Sequence, residues 1–143
     1  MTARLLSALF GMACIATSFA AAADVAVIVH PSYGVATATP DDLSKLFLGK
    51  TDALPGGDRL VPLDQAEGSA ARNSFYKQVA NKNAAQLNAY WSRLIFTGQG
   101  QPPKAVESDA VVLDLVAKNP SLVGYINASQ VNTSVKVVAT FPD

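Results

Sequence analysis

A continuous run of apolar, largely β-branched residues, Val25–Val29, most constrains the fold of this chain. Such a run, followed at once by the breaker His30-Pro31, predicts a buried strand. Other elements must therefore cover it. Because strands interleave with helices farther along the chain, the sequence favours an α/β sandwich built on a mixed sheet.

Four helices are predicted from their start signals and apolar spacing. The first begins at Thr39-Pro40 and stops at Gly49, the second opens on Ser69, the third covers Asn83–Phe96, and Ser108-Asp109 caps the fourth. The residues expected on the buried stripes are Leu43, Leu46 and Phe47; Arg72, Phe75, Tyr76 and Val79; Leu87, Tyr90, Trp91, Leu94 and Ile95; and Val111, Val112, Leu115 and Val116.

Three further strands are predicted, at Arg59–Leu63, Leu122–Ile126 and Val135–Thr140, whereas Thr97–Lys104 is rich in Gly and Pro and predicts a loop. No linker is long enough to separate two domains. We therefore expect residues 24–143 to form one domain with a mixed sheet flanked by helices.

Residues 1–23 have the pattern of a cleaved secretory signal peptide. Arg4 supplies a positive start, an apolar core follows, and small residues offer cleavage sites up to Ala23. The apolar run is short for a bilayer and has no basic stop signal, which argues against a membrane anchor. The sequence predicts secretion, most simply into a bacterial periplasm.

Cleavage there would leave about 120 residues, the usual size of one domain. Cys14 is the only cysteine and would leave with the signal, so no disulfide, thiol nucleophile or thiolate metal site is expected. Ten basic and eleven acidic residues remain. That balance points to neither nucleic acid nor an anionic membrane as partner.

The search for catalytic residues finds no complete set. His30 is the only histidine, and no Gly-x-Ser-x-Gly elbow, P-loop or dinucleotide fingerprint is present. Asp64 and Glu67 are a candidate carboxylate pair, but a solvated loop explains them more simply. The sequence therefore favours binding over catalysis, with no cofactor and no metal; a hydrolase using Asp64 or His30 is the weakest alternative.

The strongest candidate site is the helix start at Gly68-Ser69. Unpaired N–H groups and the positive end of the helix dipole favour anions there, and Gly68 allows close approach to the backbone. Arg72 adds donors suited to phosphate or carboxylate. An ordinary N-cap, with Ser69 accepting from the Arg72 N–H, explains the same residues, and Glu67 opposes an anion.

Several phrases, in this order and spacing, resemble the periplasmic phosphate-binding proteins, the substrate-binding components of phosphate ABC transporters. They are Leu46-Phe47-Leu48-Gly49-Lys50, Pro62-Leu63-Asp64-Gln65, Gly68-Ser69-Ala70-Ala71-Arg72-Asn73-Ser74-Phe75, Tyr90-Trp91-Ser92-Arg93-Leu94-Ile95-Phe96-Thr97-Gly98, Pro102-Pro103 and Val123-Gly124-Tyr125-Ile126. The resemblance covers most of residues 25–139 and is to a short, single-lobe branch. It implies one lobe of a type II periplasmic-binding-protein-like fold.

The resemblance also implies an anion site. The family's Ser-Gly-Thr phrase at a helix start corresponds here to Gly68-Ser69-Ala70, so the threonine hydroxyl is lost. Asp64-Gln65 stands where relatives place an arginine, and Arg72 comes one turn later. The nearest counterpart of the family's Thr/Ser loop after the first strand is Ser32-Tyr33-Gly34.

Two functions remain open at this point. One is a secreted, non-catalytic module that binds phosphate or a related oxyanion in phosphate uptake or sensing. The other is a ligand-free adaptor that docks on a transporter or another envelope protein, or on a second copy, through loops His30–Gly34 and Thr97–Lys104. A homodimer would rebuild a cleft between two copies.

Overall fold

The computed structural model describes residues 24–142, so the predicted signal peptide lies outside the described residues. The elements are β1 (Val25–Val29), α1 (Pro40–Phe47), β2 (Val61–Gln65), α2 (Ala70–Ala80), α3 (Ala84–Phe96), β3 (Lys104–Val106), α4 (Asp109–Lys118), β4 (Leu122–Asn127) and β5 (Lys136–Phe141), with a 3₁₀ turn at Ala128–Gln130.

The five strands form one mixed sheet in the order β3-β2-β4-β1-β5, which confirms the predicted class. β2 runs parallel to β3 and β4, whereas β1 is antiparallel to both β4 and β5. The carboxyl ends of β2, β3 and β4 therefore meet at one edge of the sheet, where β1 begins. We call this edge, marked by Gln65, Val106, Asn127 and Val25, the carboxyl edge.

Helices cover both faces of the sheet, as the buried run at Val25–Val29 requires. Val25, Val27 and Val29 join a cluster with residues of α1 and α2, including Phe47 and Phe75. Ile28 points the other way and packs with Val112 and Val116 of α4. Because side chains of a strand alternate between faces, β1 is buried from both sides.

The helix start signals act as predicted. The Thr39 hydroxyl accepts from the Asp42 N–H at 3.1 Å, and the Asp42 carboxylate accepts from the Thr39 N–H at 3.2 Å. Asn83 caps α3 and Ser108 caps α4. Asp41 and Asp42 therefore belong to the start of α1, where the helix dipole favours acids.

Three details differ from the sequence-based predictions. β2 covers Val61–Gln65 rather than Arg59–Leu63, so Asp64 is a strand residue that is only 4% exposed and not part of a solvated loop. β3 was not predicted, because its three residues Lys104–Val106 are short and largely exposed. Ile95 was expected in the core but is 47% exposed; the buried residues of its helix are Leu87 and Trp91.

Among residues 24–142, no helix has both the length and the apolar character needed to cross a membrane.

Candidate functional site

The predicted helix start at Gly68-Ser69 is present and has the geometry of an N-cap. Gly68 adopts φ +91°, a conformation that side chains rarely adopt, while nothing lies within 4 Å of an added Cβ. The Ser69 hydroxyl accepts from the Arg72 N–H at 3.3 Å. It also donates to Gln65 Oε1 at 2.8 Å, so the serine fastens α2 to the end of β2.

Gln65 links three elements at the carboxyl edge. Its side-chain amide donates to Asp109 Oδ1 at 2.6 Å and to the Tyr125 carbonyl at 2.9 Å. Asp109 Oδ2 in turn accepts from the Asn127 N–H at 3.1 Å. The first residue of α4 is thus tied to the ends of β2 and β4.

A cleft of about 390 Å³ lies where these groups meet, and we call it the helix-start cleft. It is lined by the start of α2, at Ser69–Ala71, and the start of α4, at Ser108–Ala110, together with Gln65, Asn127, Val25 and Gln130. The first N–H groups of a helix have no intrahelical acceptor, so two positive helix ends face one space. Such a space, at the carboxyl edge of an open α/β sheet, is where ligands of this fold class bind.

Asp109 makes this cleft different from a purely positive one. Its carboxylate already holds the Gln65 amide and the Asn127 N–H. A bound anion would use the unpaired N–H groups at the start of α2 while lying near a fixed negative charge. Asp109 would therefore make anion binding weaker here than at two unopposed helix ends.

The six sequence-predicted residues do not form one site. Ser69 and Ala70 line the helix-start cleft, and Gly68 directly precedes them. Ser32 and Tyr33 instead follow the end of β1, which is antiparallel to β4. Val29 pairs with Val123 near the start of β4, so this loop lies at the opposite end of the sheet. The strand direction therefore separates Ser32 and Tyr33 from the helix-start cleft.

The loop after β1 has its own hydrogen bonds. The Tyr33 hydroxyl donates to the Asp58 carbonyl at 2.8 Å, and the ring is 5% exposed. His30 Nδ1 lies 2.8 Å from the Ser32 hydroxyl and accepts from the Ser32 N–H at 3.1 Å. These hydrogen bonds give His30, Ser32 and Tyr33 a structural role in holding the turn that follows β1.

Arg72 also lies away from the helix-start cleft. Its Nε is 3.5 Å from Asp64 Oδ1, and its guanidinium stands over the Tyr76 ring at 5.6 Å. Asp64 Oδ2 accepts from the Tyr76 hydroxyl at 2.8 Å, and Oδ1 accepts from the Tyr125 hydroxyl. Arg72 and Asp64 are thus a buried charge pair, a role that the helical stripe in the sequence did not reveal.

The two tyrosines of this cluster hold their protons firmly. Burial raises the pKa of Tyr76 well above its ordinary value, and the Asp64 charge raises it further. Burial likewise raises the pKa of Tyr125, again with Asp64 as the next cause. Both hydroxyls therefore stay neutral donors to Asp64 rather than acting as bases.

Within residues 24–142, no group of three or more His, Cys, Asp or Glu side chains is placed to hold a metal ion. The Gln65–Asp109 link was not predicted, because the partners are 44 residues apart and no local pattern joins them. Each residue could be noticed only as a polar group beside a predicted strand end or helix cap.

No protein-family model matches the chain, and no curated protein matches it. Solved structures do. A phosphate ABC transporter substrate-binding protein from Clostridium perfringens, solved with bound phosphate, has a TM-score of 0.64 and 25% identity over 82% of this chain and 46% of its own. An ABC-type phosphate transport receptor from Vibrio cholerae gives 0.64 and 20% identity, over 82% of this chain and 47% of its own.

PstS from Borrelia burgdorferi gives a TM-score of 0.61 at 17% identity, over 83% of this chain and 48% of its own. The chain thus spans about half the length of the solved proteins that it matches. Its fold is that of one short lobe of the phosphate ABC transporter substrate-binding proteins, and the predicted resemblance is confirmed at the level of fold.

Proposed function

We propose that this chain is a secreted, non-catalytic binding module for phosphate or a related oxyanion, acting in phosphate uptake or sensing in a bacterial periplasm. The observation that carries the proposal is the convergence of the α2 and α4 starts on one cleft at the carboxyl edge. The fold, shared with phosphate transport proteins, supports it. An ABC transporter or another envelope protein is the expected protein partner.

Gly68, Ser69 and Ala70 are the proposed ligand residues that remain from the sequence. In this proposal phosphate oxygens accept from the N–H groups of Ala70 and Ala71, as anions do at helix starts. Ser32, Tyr33 and Arg72 are left out, since the first two lie at the other end of the sheet and Arg72 faces Asp64. The Ala110 N–H on α4 is the proposed contact from the second helix.

The test is calorimetric titration of phosphate into the chain from Asp24 onward, compared with two variants that remove one negative charge from α4. Asp109→Asn removes charge inside the cleft and is expected to tighten phosphate binding several-fold. The amide keeps only one of the two acceptor oxygens, so thermal unfolding of the variant checks that the fold is retained. Asp114→Asn is the matched control, because Asp114 is exposed and pairs with Lys118 outside the cleft. We expect no change in affinity for the control.

Equal effects of the two variants would mean that net charge, not the helix-start cleft, determines phosphate binding. Absence of saturable heat with the unaltered chain at physiological salt would contradict the proposal outright.

The adaptor function has separate support. The polar groups of Gln65 and Asp109 are already bonded to each other, and large apolar side chains lie open at the end of α3, with Phe96 91% exposed and Ile95 47% exposed. They adjoin the loop Thr97–Lys104. If this surface joins two copies, sedimentation should show a concentration-dependent dimer that Phe96→Asp abolishes; a monomer at all concentrations would remove the homodimer form of this function.

A further inference from the structure

A second cleft, of about 360 Å³, lies beside Arg72 and does not include Ser69. We call it the Arg72 cleft. Its lining includes Asp64 and Arg72, Trp91 and Ile95 of α3, and Pro102-Pro103.

Two buried nitrogens of the Arg72 guanidinium have no hydrogen-bond partner among the described residues. The side chain is only 10% exposed, yet neither its Nε nor its Nη1 has a hydrogen-bond partner. Leaving buried donors of a charged group unpaired is costly, so such groups in native structures call for a partner. The guanidinium fork matches a planar carboxylate best.

Asp64 does not fill this need. Its two oxygens already accept from the Tyr76 hydroxyl, the Tyr125 hydroxyl and the Gln65 N–H, while the nearest guanidinium nitrogen stays at 3.5 Å. The carboxylate therefore balances the charge of Arg72 without occupying its donors. Both unpaired nitrogens are closed to solvent, so an incoming acceptor would reach them only as the guanidinium turns toward the cleft, and it would not have to displace Asp64.

The charges around the cleft restrict the ligand's charge. Arg72 and Asp64 cancel, and Glu67 lies among the lining residues with its carboxylate accepting from the Asn88 amide at 3.2 Å. Any anion placed on Arg72 meets the Glu67 charge across exposed, screened surface, and the repulsion is about twice as large for a dianion as for a monoanion. Inorganic phosphate is therefore a poor occupant of this cleft.

The walls specify the rest of the ligand. Trp91, Ile95, Pro102 and Pro103 offer an apolar surface next to the guanidinium, and the volume lies at the small end of ligand pockets. From the unpaired donors, the charge balance and these walls, we propose that the Arg72 cleft binds a small organic monocarboxylate with an apolar tail. This site shares Gln65 with the helix-start cleft, but it does not rest on the proposed phosphate function.

Trp91 provides the measurement, since it is the only tryptophan of the chain and lines the cleft. Isovalerate, a branched monocarboxylate, is titrated while Trp91 fluorescence is followed, and the neutral amide isovaleramide serves as the matched probe. We expect a saturable change with the acid and at least about tenfold weaker binding of the amide. Equal binding of both probes, or no saturable change with the acid, would overturn the proposal.

Variants locate the site. Arg72→Gln should abolish binding of the acid, but it also leaves Asp64 without its buried countercharge and can unfold the chain. Ile95→Glu is the decisive change, because half-exposed Ile95 tolerates substitution and the new charge faces the cleft. Phe96→Glu is the matched control, because Phe96 is the next residue, is 91% exposed and would carry the same charge outside the cleft lining.

We expect about tenfold weaker isovalerate binding for Ile95→Glu and unchanged binding for Phe96→Glu. Equal losses in Ile95→Glu and Phe96→Glu would overturn the assignment to this cleft. Binding of a leucine-terminated peptide with no binding of isovalerate would overturn the small-acid proposal in favour of a protein terminus. Failure of phosphate binding in the helix-start cleft would leave these results unaffected.

Discussion

At the scale of single residues, the buried Asp64 cluster shows how a charged residue is held in this core. Asp64 is 4% exposed and accepts from two tyrosine hydroxyls and one N–H. A sequence can show that Asp64 follows an apolar strand and that Tyr76 lies on a helix stripe. It cannot show that Tyr125, 61 residues away, completes the same carboxylate.

Removing the Tyr125 hydroxyl should destabilise the fold. Tyr125→Phe takes one donor from Asp64 and one of the two acceptors from the Gln65 N–H, so we expect a loss of about 1–3 kcal/mol in the free energy of unfolding. Tyr90→Phe is the control, because its hydroxyl donates only to the Leu48 carbonyl and is part-buried. Urea denaturation of both variants is the measurement, and an equal or larger loss in Tyr90→Phe would contradict the account.

The same cluster predicts the response to alkaline pH. The pKa of Tyr76 and that of Tyr125 are raised in the folded state above the ordinary 10.0. Their contribution is therefore fully present below pH 10 and is lost as pH rises further, because only the unfolded chain then releases these protons. We expect a decline of about 1.4 kcal/mol per pH unit for each such tyrosine.

Tyr125→Phe should make the free energy of unfolding fall less steeply with pH, because the contribution of one tyrosine is removed. Denaturation at several alkaline pH values would measure it. An unchanged slope in the variant would mean that the Tyr125 proton is not held by the fold.

At the scale of elements, local signals predicted most helices and strands, because caps and apolar spacing act over a few residues. Thr39, Asn83 and Ser108 each cap a helix where the sequence indicated one. Strand β3 was missed because its position depends on pairing with β2 and not on its own three residues. Of the helix-start cleft, the sequence predicted only the start of α2. The start of α4 lies beside it because of the order of the strands in the sheet, which no local pattern indicates.

The N-cap of α2 should matter more than that of α4. Ser69→Ala removes two hydrogen bonds: the one that Ser69 accepts from the Arg72 N–H and the one that it donates to Gln65 Oε1. Ser108→Ala removes only the bond that Ser108 accepts from the Val111 N–H. We expect a loss of about 1 kcal/mol for Ser108→Ala and a larger one for Ser69→Ala. Thermal or urea unfolding of the two variants decides this, and the reverse order would show that the Ser69–Gln65 bond adds nothing.

Close packing of β4 against α4 gives a further prediction. A Cβ added at Gly124 would collide with the Val112 side chain, so Gly124→Ala should cost about 1–3 kcal/mol. Adding Val112→Ala should recover part of that loss by making room, although it also removes buried apolar area. Gly34→Ala is the control, as nothing lies within 4 Å of its added Cβ; a double variant that is no better than the sum of the singles would contradict the contact.

At the scale of the whole molecule, two of the clefts formed by residues 24–142 differ in chemistry. The helix-start cleft gathers the starts of α2 and α4 and includes the carboxylate of Asp109. The Arg72 cleft offers a guanidinium beside an apolar wall. The sequence predicted one site containing Ser69 and Arg72, because they are three residues apart. In the structure the Arg72 guanidinium faces Asp64, so Arg72 lines a different cleft from Ser69.

The most direct test of the central claim is amide-resolved NMR of the chain from Asp24 onward during phosphate addition at physiological salt. The account predicts saturable shifts of the Ala70, Ala71 and Ala110 N–H signals, with no matching change in the loop at Ser32 and Tyr33. Shifts that do not saturate, or that centre elsewhere, would contradict phosphate binding at the starts of α2 and α4.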